Sequence, residues 1–126
     1  MSEQQTVLTS EELARRVAET ALDKKARELV VLDMRGVVSY TDFFVICTGN
    51  TERQTQAIED AVYQRLKHFD EAKILPERVE GHGQGRWILM DYLDCVVHIF
   101  TPDARDYYRL ETLWGEVPAL EVEQTA

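Results

Sequence analysis

Asp91 and Asp94 lie three residues apart across a predicted turn. Carboxylates paired in that way on adjacent strands can hold a divalent metal, and nucleotidyl-transferring sheets place such a pair next to a Gly-Ser loop. Here Gly49 is followed by Asn50 rather than serine, and no third carboxylate can be assigned, so the two read as turn aspartates. Thr48-Gly49-Asn50-Thr51 sets a glycine between a predicted strand and a helix N-terminus, where phosphates often bind. It lacks a Walker lysine and is not G-x-G-x-x-G, which leaves a turn and a helix cap. Gly81-His82-Gly83-Gln84-Gly85 precedes a strand, so no helix dipole faces it, and it reads as a flexible connection. His68, His82 and His98 show no ligand spacing, and neither Cys47 nor Cys95 belongs to a zinc-like pair. No G-x-S-x-G elbow is present, Ser39 has no identifiable base, and Cys47 sits in an apolar run without a positive neighbour to activate it. These residues predict no catalytic group, no metal and no cofactor.

What remains is a surface. Arg86 to Phe100, RWILMDYLDCVVHIF, predicts a β-hairpin, and period-two alternation sorts its side chains onto two faces. Ile88, Met90, Cys95, Val97 and Ile99 make an apolar core face. With Tyr92-Leu93 as a two-residue turn, the other face sets Trp87 opposite His98, Leu89 opposite Val96 and Asp91 opposite Asp94. That strip runs from aromatic to aliphatic and ends in carboxylates, which is the make-up of a docking surface if no helix covers it. Ile88 and Met90 already supply the inward side, so Trp87 is expected as a partly exposed anchor, with His98 beside it as contact or packing.

The elements that must carry this strip follow from local signals. Thr9 or Ser10, with Glu12 closing a capping box, starts a helix that runs to about Ala26 with Leu13, Val17, Ala21 and Leu22 on one stripe. Leu29 to Met34 and Asp42 to Thr48 are short apolar runs that predict buried strands. Thr51 and Gln54 cap a second helix to about His68, with Ile58, Ala61, Val62, Leu66 and Phe69 inward. Pro76 to Glu80 is a weak strand. Thr101-Pro102 opens a last helix through Trp114, with Tyr107, Leu110 and Trp114 inward. This order predicts a single α/β domain over 10–115: a mixed sheet of about five strands with helices mainly on one face, so that part of the other face stays open. Residues 1–9 are expected to be flexible, and 116–126 an acidic, disordered tail.

Composition narrows the function classes. The chain has 126 residues and a net charge of −9, which disfavours direct nucleic-acid binding, because such affinity comes largely from Lys and Arg on phosphates. A basic protein partner is favoured instead. Two cysteines in apolar runs fit a reduced, cytoplasmic setting, and neither a signal peptide nor a run long enough to span a membrane is visible.

VVLDMRGVVSYTDFFVICTGNTERQTQAI, VEGHGQGRWILMDYLDCVVHIF and RDYYRLETLW together resemble the Iojap family of ribosomal silencing factors, over about Leu13 to Trp114. The resemblance implies a fold like the nucleotidyltransferase core without its catalytic signature. It also implies binding to the large ribosomal subunit through ribosomal protein uL-fourteen, so that the small subunit cannot join and translation is repressed when nutrients fail. The partner-binding surface it implies centres on Trp87, the tryptophan of the WIL segment, with Asp94, Val96 and His98 at the D.VVH positions. Leu93 departs from the family, whose members often carry glycine in that turn. Together with the strip itself, the expected site is Trp87, Leu89, Asp91, Asp94, Val96 and His98. Two other readings stay open: a large-subunit assembly factor that does not block joining, and a metal-dependent nucleotidyltransferase at Asp91, Asp94 and Gly49. An uncovered apolar strip would also serve a homodimer.

Overall fold

The computed structural model describes residues 8–69 and 73–122. Thr9 caps α1 (Ser10–Asp23) with a complete capping box: its hydroxyl accepts the Glu12 N–H, and the Glu12 carboxylate accepts the Thr9 N–H. Leu13, Val17 and Ala21 are buried on one stripe, as their spacing predicts. The helix stops three residues short of Ala26, because Lys25 turns left-handed at φ 68. The Ala26 N–H then returns to the Ala21 carbonyl and the Lys25 N–H to Leu22, which satisfies the last carbonyls.

β1 (Arg27–Asp33) and β2 (Phe43–Thr48) follow, then α2 (Glu52–Lys67), capped by the Thr51 hydroxyl. The Gln54 side chain reaches past Thr51 to the Asn50 N–H, so the second capping box closes one residue earlier than predicted. β3 (Arg78–Glu80), β4 (Trp87–Asp91) and β5 (Cys95–Phe100) complete the central strands. Thr101 and Pro102 open α3 (Pro102–Tyr108) as expected, but Arg109 takes the left-handed conformation, φ 48, and a separate short helix α4 (Leu110–Leu113) follows. That break changes the helical phase: Tyr107, expected inward, is 77% exposed, while Leu110 and Trp114 stay packed.

The strands form one mixed sheet in the order β3-β4-β5-β2-β1-β6, with β2 and β5 parallel and the other neighbours antiparallel. It has six strands rather than about five. The extra one, β6 (Ala119–Leu120), pairs with Val31 and Leu32, and Asp33 donates to the Pro118 carbonyl at 2.8 Å. β6 belongs to the segment expected as a disordered tail; the open edge of β1 gives its backbone a partner. Residues 123–126 of that tail and 1–7 of the expected flexible N-terminus lie outside the described residues.

Side chains leave the sheet in two directions. Val31, Phe43, Val45, Cys47, Ile88, Met90, Cys95, Val97 and Ile99 pack with α1 and α2 into the larger core. Leu32, Phe44, Ile46, Val96 and Phe100 form a smaller core on the opposite face with Met34 and Ala104, edged by Trp87, Leu89, Leu110 and Trp114. β2 and β5 are buried along their whole length because they lie between both layers. We call the first face closed and the second half-open.

Candidate functional site

The predicted strip lies on the half-open face, but its register differs. Tyr92 donates to the Cys95 carbonyl at 2.9 Å and Asp94 to the Tyr92 carbonyl at 2.8 Å, so the chain reverses through Leu93-Asp94 rather than Tyr92-Leu93. Trp87 therefore pairs with Phe100, Leu89 with His98 and Asp91 with Val96. The slip is two residues along one strand, so every side chain keeps its predicted face. Leu93 adopts φ 73, an arrangement that costs an L-residue roughly 1–2 kcal/mol, and the Asp91 carboxylate offsets it by accepting the Leu93 N–H at 2.9 Å.

Trp87 is half-buried, in line with the partial exposure expected from strand alternation. Its ring lies 4.6 Å from Tyr108 and 5.0 Å from Phe100, centroid to centroid, and its Nε1–H donates to His98 Nδ1 at 3.1 Å. Gly81 makes room for it: at φ 84, a Cβ there would stand 1.9 Å from the Trp87 carbonyl oxygen. The surrounding glycine loop, expected as a flexible connection, is fastened to α2. Thr55 donates to the Gly85 carbonyl, Gln56 to that of His82, and the His82 ring meets the Glu59 carboxylate.

Leu89 is half-buried beside Trp87. Asp91 closes the strip and faces Arg78, Nε to carboxylate 3.7 Å, while Arg78 also reaches Glu80 at 3.2 Å. Asp94 is not brought opposite Asp91; it is exposed at the turn, and its carbonyl accepts from Asp42 and Phe43. Val96 and His98 share the face but are buried, His98 being 4% exposed. His98 is thus packed rather than exposed, because Leu89, Trp87 and Phe44 close around its ring. Burial without a charged partner holds it neutral down to about pH 4.

Several residues of this site escaped sequence reasoning. Phe100 follows from strand alternation once the true register is known. Tyr40, Phe44 and Tyr108 carry no local signal, since only the sheet order and the α3 docking bring them near. Tyr40, Phe44, Leu89, Val96 and His98, with Arg78 and Asp91, line a shallow groove of about 330 Å³. Neither cysteine contributes: both are buried on the closed face, and desolvation pushes the Cys47 thiol up to about 12. Among the described residues no group of three or more His, Cys, Asp or Glu could hold a metal ion, and no helix is long and apolar enough to cross a membrane.

A family model described as ribosomal silencing factor during starvation matches residues 7–126. The chain is 43% identical to ribosomal silencing factor RsfS of Halalkalibacterium halodurans over 116 residues, 92% of this chain and 97% of that protein. The RsfS of Bacillus subtilis is 41% identical over 101 residues, 80% of this chain and 83% of the other. The mouse protein called mitochondrial assembly of ribosomal large subunit protein 1 is 30% identical over 91 residues, 72% of this chain and 40% of its own length. A crystal structure of a Chromobacterium violaceum protein matches with a TM-score of 0.81 at 31% identity, covering 94% of this chain and 97% of that one. One from Bacillus halodurans matches with a TM-score of 0.77 at 41% identity, covering 89% and 99%.

Proposed function

The chain belongs to the family of ribosomal silencing factors, and from that premise we propose that its half-open sheet face docks on the large ribosomal subunit through ribosomal protein uL-fourteen and so obstructs joining of the small subunit. The observation that carries this reading is Trp87, half-buried beside Leu89 on the face that α1 and α2 leave uncovered. A partly exposed indole flanked by aliphatic surface supplies a desolvated centre, and tryptophan anchors of this kind cost about 2 kcal/mol or more of binding when truncated. Asp91 and Asp94 border that centre, so a basic protein meets carboxylates at the edge, and the net charge of −9 steers it in. Val96 and His98 act beneath the surface, as its support. The block is steric: occupation of the joining surface suffices, and no reaction takes part.

The name of the mouse relative favours a second reading, in which the same contact serves assembly of the large subunit. One pair of experiments tests both. Trp87→Ala is expected to keep the fold, by circular dichroism, and to lose cosedimentation with purified large subunits; cosedimentation at wild-type level would remove Trp87 from the contact. In a joining assay with purified subunits, the wild-type chain is expected to lower the yield of joined ribosomes. An unchanged yield at saturating binding would leave the assembly reading in its place.

A further inference from the structure

Of the two roles open to His98, contact or packing, its burial leaves it working from beneath the surface. Its Nδ1 accepts the Trp87 indole N–H at 3.1 Å, and a nitrogen that accepts must carry no proton. The neutral ring therefore bears its hydrogen on Nε2, which is buried and has no hydrogen-bond partner. The Phe44 ring packs against the imidazole, 4.9 Å away between centroids and inclined at 69°. A fixed tautomer on a buried strand leaves the imidazole little freedom to turn, and through the shared hydrogen it holds the indole as well. Burial keeps the ring uncharged, so the acceptor persists across the physiological range.

We propose that His98 is a positioning residue: by taking up the indole N–H it sets the angle of Trp87 and presents the indole to the partner as ring surface alone, with no free donor. Trp87 lies against Tyr108 and Phe100, and its one polar atom is spent inside the protein. The partner group that meets Trp87 is accordingly an aliphatic side chain or the flat, cationic head of a basic one, not a carboxylate or carbonyl seeking a hydrogen bond. This chemistry agrees with the acidic rim of Asp91 and Asp94. It rests on the docking reading above for the partner, while the Trp87–His98 lock stands on geometry alone.

Two measurements test it separately. In the wild-type chain, nitrogen NMR of the histidine rings is expected to show His98 protonated on Nε2 and bare on Nδ1 at pH 7; a proton on Nδ1 overturns the lock without any variant. In binding to purified large subunits, His98→Leu is expected to lose at least tenfold in affinity and to shift the Trp87 indole N–H resonance. His98→Asn, whose Oδ1 stands where Nδ1 stood and can again accept the indole hydrogen, is expected to recover most of that loss. If His98→Leu binds like the wild type while Trp87→Ala does not, the positioning role is refuted and the docking face stands. If both bind like the wild type, the docking reading itself falls.

Discussion

Adjacent residues of one strand live in different worlds here: along β5, Val97 and Ile99 enter the core under α1 and α2, while Val96, His98 and Phe100 enter the thinner layer edged by α3 and α4. The closed face is covered by helices of 14 and 16 residues; the other receives helices of seven and four. Polar bookkeeping differs in the same direction. Among the described residues, four buried side-chain atoms lack a hydrogen-bond partner, and three of them, on His98, Glu111 and Trp114, belong to the half-open side. Only the Tyr92 hydroxyl belongs to the closed one. A buried unpaired polar group costs about 1–3 kcal/mol. The thicker layer under α1 and α2 thus pairs its polar groups more completely than the thinner layer edged by α3 and α4.

The contrast can be broken most forcefully on the closed side. Ile58→Ala, in the α2 layer, is expected to cost about 2–5 kcal/mol of unfolding free energy by chemical denaturation, and to leave the affinity of the folded chain for large subunits unchanged. A loss of affinity at full folding would mean that the two faces are coupled.

Acid probes the half-open side next. The folded pKa of His98, about 4, lies below its ordinary value of 6.5, so the unfolded chain takes up a proton between those limits and the folded chain does not. Stability from this residue is therefore complete above pH 6.5 and falls as the pH drops towards 4, by up to about 3 kcal/mol, with no further loss below that. Denaturation of wild type and His98→Gln side by side should show this slope only in the wild type; equal slopes would place the titration elsewhere.

Trp87→Ala sharpens the comparison from the binding side. It is expected to weaken docking by about 2 kcal/mol, roughly thirtyfold, while the unfolding midpoint moves less than for Ile58→Ala. The smallest effect belongs to the rim. Asp91→Asn is expected to change affinity by under about 1 kcal/mol and to flatten its dependence on salt, as titrations at two ionic strengths would reveal.

Much of the fold was legible because its signals are local. Thr9 with Glu12, Thr51 with Gln54, and Thr101 before Pro102 each announce a helix start through side chains that reach three residues along the chain or fewer. The faces of the hairpin were legible too, since strand parity survives an even slip. The register was not, because it turns on Leu93 accepting a positive φ that the Asp91 carboxylate stabilises, and no composition rule announces leucine there. Nor was the burial of His98, which depends on Phe44 from another strand and Trp87 folding over one ring. The break at Arg109 hid for a similar reason: arginine is a good helix former, and its left-handed backbone shows no sign in the sequence.

Both outer strands of the sheet are stunted. β6 contributes two residues to one margin and β3 three to the other, where Arg78 and Glu80 stand as exposed charges. Unpaired strand margins are where chains zip together side by side into aggregates, and short, charged margins deny them a template. A sheet that leaves a half-buried indole on one face is thereby denied the backbone template along which copies would zip together.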